Sequence, residues 1–278
     1  MSSLVTIVGP TSSGKTSFSI RLAILLKKNN IVAEIVSADS RQIYKELNLL
    51  SGKVTKREMA GIPHHMLSVA SARRSYSVSR FKKDAEKKIN EIIKRGHLPI
   101  LVGGSGFYVD AVTKGIVLPE VAPDHLLRKK LSHFPTNELF AQLQTIDKQR
   151  SASIDKKNPI RLIRAIEIAT ALGAVPKTTK KQIYDVVQIY IDLPDTELRK
   201  RIHTRLLSRI KSGMIQEAKK LHDSGISWKR MNDLGLECRY CALYLQGTIT
   251  KKEMFTMLES AIWKYAKRQR TWFKKNET

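Results

Sequence analysis

The apolar positions in the first part of the chain indicate strands that alternate with helices. Short apolar runs typical of buried strands occur at residues 4–8, 31–37 and 99–102. Between the first two runs, apolar residues recur at helical spacing over 17–28, and Ser77 is placed to cap a helix that ends near Arg95. Strands that alternate with helices predict βαβ units and a parallel sheet.

The middle of the chain, 113–157, lacks strand signals and carries a helical pattern over 126–144. We interpret it as a small helical insertion. Pro159 then opens a helix over 160–172 that Gly173 ends. The pattern after that predicts one strand and three helices, at 186–193, 196–212, 215–224 and from 251 onward.

These elements predict an α/β fold: a parallel sheet flanked by helices, with a small helical insertion and a helical C-terminal region. We assign 1–112 to the first part of the sheet-bearing core and 113–157 to the insertion. Residues 158–278 would complete the core and add the C-terminal helices.

The composition describes a folded and strongly basic protein. Hydrophobic residues make up 42% of the 278 positions, which excludes a disordered or collagen-like chain. No apolar stretch approaches the roughly 18 residues of a membrane span, so we expect no membrane contact. The chain has two cysteines and enters an apolar run directly after Ser3, so we expect a cytoplasmic protein without a signal peptide. The net charge of +25 favours a polyanionic partner, nucleic acid first, although a solvated lysine-rich surface remains the alternative.

One segment matches a phosphate-binding loop in full. Gly9-Pro10-Thr11-Ser12-Ser13-Gly14-Lys15-Thr16 fits the pattern G-x-x-x-x-G-K-[ST] and stands between a predicted strand and a predicted helix. Such a loop turns backbone N–H groups toward a phosphate at a helix N-terminus. The Lys15 amine supplies a cation, and the Thr16 hydroxyl suits Mg²⁺. The pattern therefore predicts a diphosphate or polyphosphate site with Mg²⁺, without identifying the ligand as ATP.

Asp39 follows the second predicted strand, at the sheet edge that also carries the loop. A carboxylate there would hold Mg²⁺ or act as a general base. The alternative is that Asp39 caps the next helical turn, a position for which Asp is well suited. No second apolar strand ends in Asp near the loop, which counts against simple ATP hydrolysis.

Together with the loop, six further segments occur in the order found in the tRNA dimethylallyltransferases, a family that the chain resembles over nearly its whole length. These segments are 37–44, 62–65, 76–78, 99–108, 158–167 and 266–273. The chain departs from the family at Ser105, where Thr is more usual, at Ile160, where Gln is usual, and over 234–237. None of these departures touches the loop or Asp39.

The resemblance implies a P-loop NTPase-like fold and a prenyl transfer. The dimethylallyl group would pass from dimethylallyl diphosphate to the exocyclic amine of the adenosine at tRNA position 37, next to the anticodon. Asp39 would be the base, while Lys15, Arg205 and Mg²⁺ on Thr16 would stabilise the leaving diphosphate. The whole loop from Gly9 to Thr16 would bind that diphosphate. The alternative for Arg205 is that it lies on a solvated helix face and does not contact the diphosphate.

The resemblance also implies that the insertion faces the tRNA and that a set of polar residues contacts the anticodon stem-loop. The set is Asp39, Ser40, Arg41, Gln42, Ser105, Arg161, Arg164, Lys267, Arg268, Gln269, Arg270, Thr271 and Trp272. The last six lie in a C-terminal stretch that interleaves cations with aromatic rings, which suits unstacked RNA bases. Two alternatives stay open: the arginines of 161–164 are an exposed basic face, and some of the aromatic rings belong to the core. We expect the protein to be a monomer.

Three other functions remain possible from the sequence. An adenylate isopentenyltransferase would perform the same chemistry on a free nucleotide, but it would not need the basic aromatic C-terminal helix. A P-loop small-molecule kinase would require ATP turnover, and a non-catalytic RNA-binding protein would not need the intact loop. Cys238 and Cys241 form a single C-x-x-C, and we interpret them as apolar core residues rather than metal ligands.

Overall fold

The computed structural model of the protein describes residues 2–177 and 179–275 and divides into two compact units. The first unit comprises the described residues of Met1–Gly115 and Gln182–Thr278, and the second comprises Ile116–Lys181. A parallel sheet flanked by helices forms the first unit, which confirms the predicted fold class. None of the helices that the structure describes is both long and apolar enough to cross a membrane.

The first unit is built on five parallel strands in the spatial order β3-β2-β4-β1-β5. The strands are β1 (Ser2–Val8), β2 (Ala33–Ser37), β3 (His64–His65), β4 (Leu98–Gly103) and β5 (Tyr184–Tyr190). Because all strands run the same way, the carboxyl ends of β1, β2 and β4 meet at one edge. The segments that leave this edge begin at Gly9, Ala38 and Gly104.

The described residues also form thirteen helices along the chain. They are α1 (Lys15–Lys28), α2 (Lys56–Met59), α3 (Val78–Lys94), α4 (Gly106–Thr113), α5 (His125–Leu131), α6 (Thr136–Ile146), α7 (Lys148–Ser153), α8 (Pro159–Leu172), α9 (Asp195–Lys211), α10 (Met214–Asp223), α11 (Trp228–Asp233), α12 (Leu236–Leu245) and α13 (Lys251–Lys274). Helices α5 to α8 belong to the second unit and the others to the first.

Both faces of the inner strands β1, β2 and β4 are buried, as their near-continuous apolar sequences predict. On one face, Leu4 of β1 and Leu101 of β4 belong to a large core that includes Phe81 of α3. On the other face, Ile7 of β1 packs in a separate cluster with Ile20 of α1. The alternation along each strand therefore fixes which helix covers which side.

The second unit is wholly helical apart from one isolated bridge between Ile116 and Lys180. Its core joins Leu131 of α5 and Leu139 of α6 to Leu162 of α8. The unit thus extends beyond the insertion that we predicted to end at residue 157, because the apolar face of α8 is buried here. Pro135 splits the single helix predicted over 126–144 into α5 and α6.

Several predicted elements are present with small shifts at their ends. Ser77 caps α3 by accepting a hydrogen bond from the Arg80 amide at 3.2 Å, as predicted. The short strand β3 and the helices α2, α4, α11 and α12 were not predicted. Helix α12 carries Cys238 and Cys241, which are buried and free thiols in the apolar core. Burial raises the pKa of the Cys241 thiol to about 12.

Candidate active site

The phosphate loop leaves β1 through a glycine that no other residue could replace. Gly9 has φ +147°, and a Cβ atom there would lie 2.1 Å from the carbonyl oxygen of Ile191. At the other end of the loop, Gly14 adopts φ +97° and precedes α1 without a side chain to cap it. The N–H groups of the first turn of α1 are therefore available to an anion.

Two polar side chains inside the loop are arranged for such an anion. The Ser13 hydroxyl is buried and has no hydrogen-bond partner among the described residues. The Lys15 amine donates to the carbonyl oxygen of Pro10 at 2.6 Å. Burial lowers the pKa of Lys15 to about 7, an effect that Arg205 strengthens and Asp39 opposes. The loop thus combines orphan donors with a partly desolvated cation, which is the chemistry of a phosphate or diphosphate site.

Asp39 lies at the carboxyl end of β2, on the same sheet edge as the loop. Its Oδ1 atom accepts hydrogen bonds from the backbone amides of Arg41 at 2.8 Å and Gln42 at 3.3 Å. The capping contact that we kept as an alternative is therefore present. The same two bonds fix the carboxylate in one orientation, so capping and a chemical role are compatible in this geometry.

Arg205 on α9 is turned into the protein and does not lie on a solvated helix face. Its Nη2 atom donates to the carbonyl oxygen of Gly52 at 3.0 Å, and a Cβ atom at Gly52 would lie 2.5 Å from Nη2. Burial and the neighbouring Arg209 lower the pKa of Arg205, which places a second desolvated cation beside Lys15.

A carboxylate that sequence reasoning missed holds the segment before Gly52. Glu217 of α10 accepts three backbone hydrogen bonds, each 2.9 Å long, from the amides of Asn48, Leu49 and Leu50. The contact is between residues 167 to 169 positions apart, so nothing local in the sequence signals it. Because Gly52 stands two positions after Leu50, Glu217 holds the segment that leads to the carbonyl group accepting from Arg205.

Helix α13 reaches the phosphate loop through Gln269. The Gln269 side chain accepts from the Thr11 amide and donates to the carbonyl of Gly104, both at 2.8 Å, and is buried. Its neighbour Arg270 is held by Asp192 at 2.8 Å and by Asp195. We predicted that both residues contact tRNA. The structure uses them inside the protein instead, because each finds its partners at the sheet edge or on the segment before α9.

A small hydroxyl network lies next to Asp39. The Ser105 hydroxyl accepts from the Ser40 amide at 3.0 Å and lies 3.2 Å from the Ser40 hydroxyl. Tyr265 of α13 also hydrogen-bonds Ser105, and burial together with the Asp39 charge raises the pKa of Tyr265 to about 12. Arg41 points away from this group, toward the carbonyl oxygen of Asp233 at 2.9 Å. Sequence reasoning counted Tyr265 among the aromatic residues of the helix but did not assign it to the site.

The outer face of α13 brings four of the predicted RNA-binding residues together. A depression of about 650 Å³ is lined by Lys264, Lys267, Arg268, Thr271, Trp272 and Lys275. The Trp272 indole N–H donates to Asp110 at 3.1 Å, which holds the ring against the sheet-bearing unit. Three predicted residues with exposed side chains, Lys267, Arg268 and Thr271, therefore surround a fixed aromatic ring.

The two arginines predicted on α8 take different directions within the second unit. Arg161 is exposed, 3.7 Å from Asp155. Arg164 pairs with the buried carboxylate of Glu167 and donates to the carbonyl of Val121 at 3.0 Å. Arg128 also binds Glu167, at 2.7 Å, and these hydrogen bonds lower the pKa of Glu167 to about 2. We predicted that both arginines contact tRNA; in the structure Glu167 holds the guanidinium of Arg164 inside the unit, whereas Arg161 remains exposed.

Oxygen ligands for a cation are sparse near the loop. Across residues 2–177 and 179–275, no group of three or more His, Cys, Asp or Glu side chains is arranged to hold a metal ion. Thr16 is exposed at the start of α1, directly after Lys15. This donor set fits Mg²⁺, which commonly binds one or two protein oxygens and completes its shell with substrate phosphates and water.

Comparisons with known proteins agree along the chain. The family described as "IPP transferase" matches residues 42–276. The chain is 38% identical over 279 residues to "tRNA dimethylallyltransferase 2" of Citrifermentans bemidjiense, covering 99% of this chain and 87% of the relative. It is 39% identical to the protein of the same name from Treponema denticola, covering 98% and 92%.

Solved structures give the same result. The full-length tRNA isopentenylpyrophosphate transferase of Bacillus halodurans is 35% identical, with a TM-score of 0.72, and the alignment covers 99% of this chain and 87% of that one. A eukaryotic dimethylallyltransferase acting on tRNA reaches a TM-score of 0.82 at 22% identity, covering 98% and 70%. This second likeness supports the fold alone.

Proposed function

The chain belongs to the IPP transferase family, and from this membership we propose that it transfers a dimethylallyl group from dimethylallyl diphosphate to adenosine 37 of tRNA. It is thus an enzyme that prenylates an adenosine of tRNA. One observation carries the proposal: the phosphate loop and the fixed carboxylate of Asp39 lie at one sheet edge, and the buried Arg205 lies beside Lys15 of that loop.

The loop would act on the leaving group. As the bond between the allylic carbon and oxygen breaks, its electron pair leaves with the diphosphate, whose negative charge grows. We assign the stabilisation of that charge to the backbone amides of the loop, the buried Ser13 hydroxyl, Lys15 and Arg205. Preorganised donors of this kind act without reorganising during the reaction, so their effect falls on the transition state.

Asp39 would act on the nucleophile. The adenine N6 atom forms the new bond to the allylic carbon, and its proton passes to the carboxylate of Asp39. Because Oδ1 is held by two backbone amides, we assign the proton to Oδ2. The adenine must leave its base stack to reach this position, so base extrusion accompanies binding.

We further propose Mg²⁺ as the cofactor, held by the Thr16 hydroxyl and by the diphosphate. When bound, the cation would neutralise part of the diphosphate charge. For the tRNA we propose the anticodon stem-loop as the part that is recognised, and we assign its binding on α13 to Lys267, Arg268, Thr271 and Trp272. The exposed Arg161 of α8 stays a separate proposed RNA contact. The earlier expectations of a monomer and of a cytoplasmic location remain proposals, and size-exclusion chromatography tests the first.

Parallel incubations separate this function from its rivals. The protein is supplied with labelled dimethylallyl diphosphate and either tRNA or AMP, and separately with ATP and candidate acceptors. We expect label to enter tRNA only. Label in AMP would indicate an adenylate isopentenyltransferase, and ATP turnover without prenyl transfer would indicate a kinase.

The variant Asp39→Asn tests the chemical step. Asn caps a turn about as well as Asp but cannot take the proton. We expect kcat to fall by about 10²- to 10⁴-fold while the Kd values for tRNA and pyrophosphate stay close to those of the wild type. Asp124→Asn is the matched control, because Asp124 caps α5 through the Leu127 amide at 2.9 Å. Near-normal turnover of Asp39→Asn would leave Asp39 as a cap only.

A further inference from the structure

Helix α9 brings a second guanidinium to the phosphate loop, one turn before Arg205. A Cβ atom built on Gly14 would lie 3.4 Å from Nη1 of Arg201, which puts this nitrogen beside the last loop residue before α1. In the sequence, Arg201 stands four positions before Arg205, and sequence reasoning did not assign it to the site. Its position at Gly14 depends on packing between α9 and the loop, which spacing alone does not reveal.

The fold of α9 explains why Arg201 and Arg205 lie on the same side of the helix. Leu198, Ile202 and Leu206 bury the apolar face of the helix. Residues four positions apart lie on one helix face, so Arg201 and Arg205 form a neighbouring pair. Glu197 accepts from Nε of Arg201 at 2.7 Å, which holds the guanidinium by its inner nitrogen. The atom that meets Gly14 is Nη1, on the far side of the fork.

Backbone N–H groups that can donate to an anion are available next to Gly14. The N-terminal turn of α1 begins there without a capping side chain, and the orphan hydroxyl of Ser13 is adjacent. A phosphate that accepts from these groups would lie within reach of the Arg201 fork, because Nη1 lies 3.4 Å from the position that a Cβ atom of Gly14 would take. Guanidinium groups bind phosphates through two parallel hydrogen bonds, and such charge-assisted bonds are stronger than neutral ones.

We propose that Arg201 binds the diphosphate from the outer side of the loop, so that the two arginines of α9 hold it from two directions. The inference rests on the proposed function, since it names a further binding residue of the same diphosphate site. Arg205 would act from the buried side next to Lys15, and Arg201 from the solvent side next to Gly14. The guanidinium would therefore help to bind the substrate and to stabilise the charge of the leaving group.

Binding of inorganic pyrophosphate to the full chain tests this proposal without requiring prenyl transfer. Isothermal titration in Mg²⁺ buffer is performed on the wild type, Arg201→Ala, Arg201→Lys and Lys200→Ala. We expect Arg201→Ala to weaken binding about 10- to 100-fold. Arg201→Lys should recover part of the loss, because it keeps the charge but not the fork. Lys200→Ala removes the same charge from an exposed neighbouring position and should change Kd less than about twofold.

The outcomes separate the inference from the proposed function. Wild-type pyrophosphate affinity in Arg201→Ala overturns the inference, and so does an equal loss in Lys200→Ala, which would reveal only the general charge of α9. Failure of the wild type to bind pyrophosphate also overturns it. If the wild type binds pyrophosphate through Arg201 but prenylates no tRNA, the inference stands and the proposed reaction fails. Thermal unfolding of each variant shows that the fold is retained.

Discussion

Two helices of this protein carry arginine pairs about one turn apart, and they use them in opposite ways. On α9, Arg201 and Arg205 both reach the phosphate loop or its supporting segment. On α8, Arg161 faces outward while Arg164 is held by the buried carboxylate of Glu167. The spacing of the arginines is nearly the same in both helices, so spacing does not decide their role.

The position of the nearest carboxylate explains the difference. Glu167 is buried, so it needs cations around it, and it holds both Arg128 and Arg164. Glu197 lies at the surface of α9. Among the described contacts, it accepts from Nε of Arg201 and leaves the two terminal nitrogens of that guanidinium unpaired with it. An arginine beside a buried acid becomes structural, and an arginine beside an exposed acid stays available to a ligand.

Replacing Arg205 is expected to give the largest effect in this comparison. Arg205→Ala removes a buried cation next to Lys15 that the leaving diphosphate would meet. We expect kcat/KM for dimethylallyl diphosphate to fall about 10²- to 10³-fold, the usual loss for one preorganised donor. Steady-state kinetics with saturating tRNA measures it. A loss below about fivefold would place Arg205 with Arg164 as a structural residue and would break the comparison.

Replacing Arg164 should instead reduce stability. Arg164→Ala leaves the buried Glu167 with Arg128 as its remaining cation, so we expect the free energy of unfolding to drop by about 2–3 kcal/mol. Arg161→Ala is the matched control on the same helix, with an expected change below about 0.5 kcal/mol. Urea unfolding followed by circular dichroism measures both. If Arg164→Ala kept full stability and weakened tRNA binding, Arg164 would be an RNA-binding residue, as the sequence predicts, and not a structural one.

Two groups near these helices should respond to pH in different ranges: Lys15, which lies near Arg205 of α9, and Glu167 of α8. Because the pKa of Lys15 is about 7, its charge is lost as pH rises above 7, and pyrophosphate affinity should fall by at most about tenfold per pH unit. Lys15→Arg stays charged, so the difference in slope between it and the wild type isolates the lysine. Equal slopes for the wild type and Lys15→Arg between pH 6 and 9 would remove Lys15 from this account.

The folded-state pKa of Glu167 is depressed to about 2, so the contribution of Glu167 to stability is present above about pH 4.5 and is lost only as pH falls toward 2.

The smallest expected effect separates exposed from internally paired cations on α13. Lys267→Ala and Arg268→Ala should each reduce the slope of log Kd for tRNA against log salt by about 1, between ~50 and ~200 mM salt. Filter binding measures the slopes. Arg270 is already paired with Asp192 and Asp195, so Arg270→Ala should leave the slope unchanged and lower the melting temperature. A slope change for Arg270→Ala would contradict its internal assignment.

Local signals in the sequence predicted the parts of the site that are contiguous in the chain. The phosphate loop, the strand before it and the position of Asp39 depend on neighbouring residues, and the structure contains them as expected. The sequence shows Pro135, but we predicted one helix across it, whereas the structure has two. Helix α12 was missed because its apolar residues are covered on several sides and show little periodicity.

Long-range partners set the limit of sequence reasoning. Gln269 binds the amide of Thr11, which is 258 positions away, so no local pattern could turn it inward. The three amides bound by Glu217 are a similar case, and so is the position of Arg201 beside Gly14. Each is decided by which element packs next to which, and that follows from the complete fold.

The two buried cysteines make the chain suitable for experiments with thiol reagents, although neither cysteine has a role in the proposed reaction. Cys238 and Cys241 are the only thiols in the sequence, both are buried on α12, and burial raises their pKa values. A thiol reagent therefore reacts with the native chain only when α12 opens, so the rate of alkylation reports local unfolding of that helix. For the same reason, a cysteine introduced on the exposed face of α13 could be labelled selectively with a fluorophore in the otherwise unmodified protein.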